Sequence, residues 1–537
     1  MRVSENQNFC FYFGVLLIIL SSSLFLVFIT GFVPPSFSVP MINFSVPSNL
    51  YVQKPPPSPP SPPSLNTSDS LEISGEAQVS SPSEQKKTKP PFSPPSLNTS
   101  DSTEISEAQV SSTWGQIKTA TSENLFEGEK LDAELNHKGT EKISVITNEK
   151  DKKLEKIQAR LAQARSSIRE ASKVRNLTSI QQDPDFVPRG PMYRNPNAFH
   201  RSYLEMEKVC KIFVYKEGEP PLFHDGPCKN IYSSEGRFIH ELARGRHYRT
   251  DDPDEAFVYF LPFSVAMMVR HISRVPRDTK SVGFPVTDYI QTLSHKYPFW
   301  NRSIGFDHFM LSCHDWGPRV SSQVPQLFHN SIRVLCNANT SEGFNPAKDA
   351  TLPEFNLITG EITGLIGGYS PSRRNILAFF AGGLHGHIRY LLFQQWKGKD
   401  QDVQVYEQLP KGVSYYDRLR NSRFCLCPSG YEVASPRIVE AMFAECVPVL
   451  ISDSYVPPFS DVLNWNSFSV QIDVKDIPNI KKILMRIPQR QYLRMQRRVK
   501  QVQRHFVPND PPKRFDVFHM IIHSIWLRRL NVQIQHE

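Results

Sequence analysis

Apolar and polar positions divide this chain into four textures. Phe9–Val33 holds no charged residue and is long enough to cross a bilayer as one helix. Residues 34–148 are polar and rich in Pro and Ser, with no period that buries a face. Over about Glu149–Lys173, Leu154, Ile157, Leu161, Ala164, Ile168 and Ala171 recur at alternating spacings of 3 and 4 on a charged background. That seam predicts a helix which either pairs in a short coiled coil or lies on the chain's own globular body. From about Arg201 aromatics rise and strand-length apolar runs appear at intervals. The first series is Lys211–Tyr215, Ala256–Leu261, Phe309–Ser312 and Ile332–Leu335. After an irregular segment, Asn345–Arg374, a second series follows: Ile376–Phe380, Val403–Tyr406, Phe424–Cys427 and Val447–Ile451. Strands alternating with helical or loop segments predict two doubly wound α/β halves, with a cleft between them suited to a substrate.

The front of the chain is read as an anchor and a spacer. The apolar run outlasts the core of a cleaved signal and ends without a small-x-small site. Arg2 and the α-amino group precede it, and no Lys or Arg follows until Lys54. The positive-inside rule then puts residues 1–8 in the cytosol, residues 9–33 in the membrane and the bulk in a lumen. Residues 54–64 favour polyproline II. Ser61–Ser81 recurs as Ser93–Ser112, a duplicated polar spacer rather than a solenoid. A structural wall protein with this repeat as its working part is one alternative reading. Sequons at Asn43, Asn66, Asn98, Asn176, Asn301 and Asn339 would accept N-glycans on the luminal side.

Candidate chemistry concentrates in Phe424–Leu450, FCLCPSGYEVASPRIVEAMFAECVPVL. It reads as strand, loop, helix and strand, with Ser435 capping a helix whose first turn accepts Pro436. Ser429, Glu432 and Ser435 lie in the loop, and Arg437 and Glu440, three apart, share one helix face. A guanidinium there can clamp a phosphate and a carboxylate can accept from a ribose diol, so the unit predicts a nucleotide-linked substrate. A second loop, Ala381–Arg389, follows a strand: Gly382 and Gly383 would admit a phosphate close to the backbone, and Arg389 would add charge. Neither G-x-G-x-x-G nor a P-loop occurs, which sets aside dehydrogenase and NTPase readings.

Other signals are weaker. Asp252-Pro253-Asp254 and Asp400-Gln401-Asp402 have D-x-D form, but both sit in turns where such residues are ordinary; no metal site is expected. Cys313-His314-Asp315-Trp316 brings a thiol, an imidazole and a carboxylate to a strand end. His314 or Asp315 there is either a general base or part of a packed, disulfide-bonded corner. His224 and Asp225, before Gly226, are either a turn or acceptor-binding groups. Of eight cysteines, seven follow the anchor and suit an oxidising lumen. Cys425 and Cys427 share a strand face and are not expected to pair with each other, and Cys210 is expected to be unpaired. The net charge of +9 is spread along the chain. One basic run, Arg490, Arg494, Arg497, Arg498, Lys500 and Arg504, has helical texture and reads either as a contact for an acidic glycan or as a solvated face. An anchored, luminal chain is not placed to meet nucleic acid.

From about Asn195 to Leu530 the chain resembles plant members of the exostosin family, the family 47 glycosyltransferases. The matching pieces include FHRSYLEMEK (Phe199–Lys208), EPPLFHDGPC (Glu219–Cys228), HFMLSCHDWGP (His308–Pro318), LAFFAGGLHG (Leu377–Gly386), CLCPSGYEVASPRIVEA (Cys425–Ala441) and PVLISDSYVPPFSDVLNW (Pro448–Trp465). The resemblance implies a GT-B-like pair of Rossmann-like domains facing a cleft, the acceptor-side domain over residues 195–365 and the nucleotide-sugar-binding domain over residues 370–530. A helical stem over residues 149–175 precedes them. It implies a single-pass type II Golgi membrane protein that moves sugar from a UDP-sugar co-substrate to a cell-wall polysaccharide or glycoprotein glycan. Transfer would invert the anomeric configuration without an obligatory metal or cofactor, and partnership with itself or other glycosyltransferases is open. At matching positions Arg437 and Glu440 correspond to the family's donor-binding pair, while His387 and Tyr390 stand where relatives often have Pro. A catalytically inactive glycan-binding or scaffold protein on the same fold is the alternative.

Overall fold

The computed structural model describes residues 152–272, 279–532 and 534. The tail, the apolar run 9–33, the spacer, and Asn43, Asn66 and Asn98 lie outside the described residues. Among the described residues no helix is long and apolar enough to cross a membrane.

Two parallel sheets carry the body. The first has the order β2-β1-β3-β4-β5-β6, from β1 (Ile212–Val214), β2 (Arg249–Thr250), β3 (Val258–Phe260), β4 (His308–Ser312), β5 (Ile332–Leu335) and β6 (Ala350–Thr351). The second has the order β11-β10-β9-β7-β8, from β7 (Ile376–Ala381), β8 (Val403–Tyr406), β9 (Ser422–Pro428), β10 (Val447–Ile451) and β11 (Val470–Ile472). Every strand pair is parallel. The central strands β4, β5, β7 and β10 are buried throughout, as expected for apolar runs covered by helices on both faces. All eight strands predicted from the apolar runs are present; β2, β6 and β11 are the short edge or near-edge strands whose sequence lacks such a run.

In each sheet the second strand lies outside the first, so the winding direction reverses between the first and third strands. A crevice opens at such a reversal, outside the carboxyl ends of the strands. In the first sheet it falls between β1 and β3, in the second between β7 and β9.

Two helices tie the ends of the chain to this body. The seam helix, residues 152–172, buries Leu154, Ile157, Leu161, Ala164 and Ile168 against the protein's own core. Of the two readings of the seam, it is therefore intramolecular packing that the structure adopts. The helix Val517–Leu530 is buried along its whole length and returns from the second sheet to the first: Arg529 donates to the Phe257 carbonyl and Arg528 to that of Asp349. Arg165 of the seam helix in turn donates to the Leu530 and Val532 carbonyls.

Disulfides Cys313–Cys336 and Cys425–Cys446 are present, and Cys210 and Cys427 are free and buried. The first disulfide joins the carboxyl ends of neighbouring strands β4 and β5, the second links β9 to the turn entering β10.

Candidate functional site

The reversal in the second sheet is open. β7 ends at Ala381 and β9 at Pro428, and the loops that leave them form one wall of a cleft of about 410 Å³. From the β7 side come Ala381, Gly383, His385 and Arg389; from the β9 side come Gly430, Tyr431, Glu432, Ala434, Pro436, Arg437 and Glu440. The two loops touch: Gly386 has φ +78°, and a Cβ there would come within 2.2 Å of the Gly430 carbonyl oxygen. Facing them from the first half are Ile231, Asp315, Glu354 and Asn356.

Arg437 and Arg389 set the charge of this wall. Arg437 donates through Nε and Nη2 to the Ala381 carbonyl at 3.1 and 2.9 Å. Its guanidinium and that of Arg389 lie 5.0 and 5.7 Å from the centre of the Phe380 ring. Arg389 donates to the Gly383 carbonyl, while its Nε is buried without a partner. Among the described residues neither arginine is in an ion pair. Burial and the charge of Arg437 pull Arg389 down to about 10, so it stays a cation at neutral pH. Two cations held together with unspent donors make a site for a doubly charged anion.

Glu440 lies one helical turn beyond Arg437. It accepts from the Tyr415 hydroxyl at 2.6 Å and, at 3.4 Å, from Asn356 of the opposite half. The remaining carboxyls form a group across the cleft. Asp315 is raised by burial and hydrogen-bonded by Tyr232. Burial, then the charges of Glu342 and Asp315, push Glu432 up to about 7, and it accepts from Asn337 at 2.6 Å. Glu354 is raised well above the usual carboxylate range by burial and by Asp315. Burial disfavours the charged form of Glu354, which weakens its compensation of the arginines. A carboxyl that sheds its proton near neutrality, as Glu432 does, facing a cationic pocket, suits proton removal beside a departing anion.

Of the residues singled out from sequence, Asp315, Gly383, Arg389, Glu432, Arg437 and Glu440 line this cleft, and the others do not. Gly382 serves Arg437 rather than a phosphate: a Cβ at Gly382 would lie 1.9 Å from Arg437 Nη2, so the missing side chain is where the guanidinium rests. Ser435 is not the helix cap. The helix Arg437–Phe443 starts from Pro436 without a side-chain cap, and Ser435 Oγ is buried with no partner. Ser429 holds the loop from within, its hydroxyl donating to the Val433 carbonyl.

His314 packs between Tyr232 and Trp316, accepts the Trp316 N–H on Nδ1, and is pulled down to about 4 by burial. It shapes the corner that carries Asp315. His224 and Asp225 are away from the cleft. His224 sits at φ 57° with Nε2 on the Glu217 carbonyl, and Asp225 pairs with His240 at 2.8 Å. The D-x-D residues are tied down as well: Asp252 caps a short turn and pairs with Lys153, and Lys481 bridges Asp400 and Asp402. Asn176 and Asn301 are exposed, but Asn339 is buried and donates to Glu342, so a folded chain has no room for a glycan there.

Sequence reasoning missed Glu354, Asn356, Tyr415, His385 and Tyr431. Glu354 and Asn356 come from the patternless segment between the sheets. Tyr431, 78% exposed beside Glu432, is stacked on His385 with ring centres 5.5 Å apart, and it was readable only as part of the loop.

The family model of the Exostosin GT47 domain matches residues 206–487, which span both sheets and every cleft residue named above. The chain belongs to the exostosin GT47 family. This exostosin chain is 60% identical over 418 residues to "Probable glycosyltransferase At5g03795" of Arabidopsis thaliana, 78% of each chain being covered. It is 59% identical over 383 residues to "Probable glycosyltransferase At3g07620" of the same plant, covering 71% of this chain and 82% of the relative. A more distant relative, "Probable beta-1,4-xylosyltransferase IRX10" of Arabidopsis thaliana, is 27% identical over 352 residues, covering 60% of this chain and 83% of its own.

Proposed function

We propose that this exostosin chain transfers a sugar from a UDP-sugar to a hydroxyl of a cell-wall polysaccharide or glycoprotein glycan, on a GT-B architecture. The observation that carries the reading is the pair Arg389 and Arg437, free of carboxylate partners at the open reversal between β7 and β9. In this reading the two guanidiniums hold the diphosphate and take up the charge that develops as it leaves. Glu440, steadied by Tyr415 and Asn356, accepts from a diol of the donor. The acceptor oxygen attacks the anomeric carbon from the side opposite the diphosphate, the bond to the diphosphate oxygen breaks, and the configuration inverts. Asp315 and Glu432 together take the acceptor's proton: the charge of Asp315 helps hold up the pKa of Glu432, so that carboxyl sheds its proton near neutral pH. The arginine pair supplies the positive charge that the departing diphosphate needs, so no obligatory metal is invoked.

The donor's sugar and the acceptor's linkage are set by the shape of the pocket around Glu354 and Asn356. The two disulfides support folding in an oxidising lumen, and the reading places the body on the luminal side of the Golgi, anchored by residues 9–33. Screening the purified full chain against UDP-galactose, UDP-xylose, UDP-glucuronate and UDP-arabinose, with wall oligosaccharides as acceptors, tests it. Arg437→Ala is expected to lower turnover by about a thousandfold, the upper end for loss of one transition-state donor. Full turnover in that variant would remove the donor site from this cleft.

A further inference from the structure

The basic run of the sequence is not part of the cleft. All of it but Arg504 lies on the helix Gln489–Val502, whose fourteen residues include Arg490, Arg494, Arg497, Arg498 and Lys500 and no acidic residue. Arg494, Arg497, Arg498 and Gln501 form one side of a separate groove of about 390 Å³. The other side is the arm that precedes the first sheet: Leu177, Thr178, Arg189, Gly190, Pro191 and Met192. Four guanidiniums thus meet across one depression. None of them is in an ion pair among the described residues, and only Arg498 has a side-chain hydrogen bond, to the Ser467 carbonyl at 2.9 Å. Helices of this length ordinarily intersperse acids three or four residues from such bases, which relieves repulsion. Here the repulsion is left in place: burial and the charge of Arg494 both pull the Arg498 pKa down. The groove shares no lining residue with the cleft.

We propose that this groove is a second binding site, for a polysaccharide that carries carboxylates along its length, as a uronate-bearing glycan does. A planar guanidinium takes a carboxylate by two parallel hydrogen bonds, and four of them on two walls fit a chain with charges repeated at intervals. The exposed apolar side chain of Leu177 between them offers contact for a sugar ring. A concave seat favours a chain lying in it over a flat anionic membrane, which meets protruding surfaces. The site would retain an acidic acceptor, or a neighbouring wall polymer, independently of which donor fills the cleft.

The test is binding of the detergent-solubilised full chain to polygalacturonate, to dextran as a neutral polymer, and to phosphatidylserine vesicles. Wild type should retain polygalacturonate and not dextran, and the affinity should fall at least about tenfold as salt rises through the range where the screening length drops below the spacing of exposed charges. R494A/R497A/R498A should weaken binding about tenfold, the sum expected of three exposed ion pairs, with donor turnover unchanged. Should the triple variant unfold, the single charge reversal R497E must show the same direction, with an unaltered melting curve. Equal binding of polygalacturonate by wild type and the folded variants overturns the proposal, as does arginine-dependent binding of vesicles without binding of polygalacturonate. Arg437→Ala separates this from the donor reading: it should silence turnover and leave polygalacturonate binding intact.

Discussion

The two sheets share a strand order, yet only one keeps its crevice. At the reversal of the first sheet, the segment after β1 folds back over the opening. Phe223 bridges to Phe263, the His224 N–H donates to the Pro262 carbonyl, and the Ser264 N–H donates to that of Leu222. Glu217, at the rim, is fastened by Lys296 and the Tyr297 hydroxyl, each at 2.6 Å. The first crevice is thus covered by this segment, whose Phe223 packs on Tyr289 with ring centres 4.7 Å apart. At the reversal of the second sheet the loops are short, glycine-bearing and lined with cations, and the space stays open. Topology provides a crevice twice; loop sequence decides which becomes a site. The first half then contributes from a different place, the carboxyl end of β4, where the Cys313–Cys336 disulfide and the Glu235 carboxylate, which accepts from the Cys313 N–H at 2.7 Å, fix the corner bearing Asp315.

This contrast can be broken in four ways. The largest expected effect is at the carboxyls that the two halves bring together: D315N/E432Q should cost about 10²–10⁴ in kcat, the range for loss of a general base. The pH dependence carries the sign. In wild type kcat/KM should fall as pH drops through about 7, because protonating Glu432 removes the base. D315N alone takes a negative neighbour away, lowers the pKa of Glu432, and should move that acid limb to lower pH. An unmoved limb would uncouple the pair.

Next is the open crevice. Gly382→Ala places a methyl where Arg437 Nη2 rests, so it should fold normally and lose about a hundredfold in turnover, read with circular dichroism on the same sample. Normal turnover would mean that Arg437 acts from another position. Third, C313S/C336S should lower stability by about 2–4 kcal/mol in denaturant titration, and turnover with it, since the bridge pins the strand end two residues before Asp315. The smallest effect belongs to the filled crevice: His224→Ala removes one hydrogen bond to the Glu217 carbonyl, outside the cleft, and should leave turnover within about twofold. A large loss there would show that the plug opens during the reaction.

The parts of this molecule governed by periodicity were legible in the sequence. Apolar runs gave eight of the eleven strands, the 3–4 seam gave the helix 152–172, and the spacing of Arg437 and Glu440 gave their common face. What escaped detection depends on contacts between distant segments. Glu354 and Asn356 sit in a stretch with no period, and only the packing of the two halves brings them to Glu440. Gly382 looked like a phosphate loop because a glycine pair after a strand has the same appearance whether the empty space holds a ligand or an arginine. His314 and His224 have the chemistry of catalytic groups, but burial in one case and a backbone hydrogen bond in the other commit them to shaping corners. Asn339 satisfies a sequon while its amide is already spent on Glu342.

The return of the last helix has a practical corollary. Because Arg165 grips the carbonyls of Leu530 and Val532, the seam helix and the last helix are fastened to each other. Clipping the final turns of that last helix would therefore loosen the seam helix from the body.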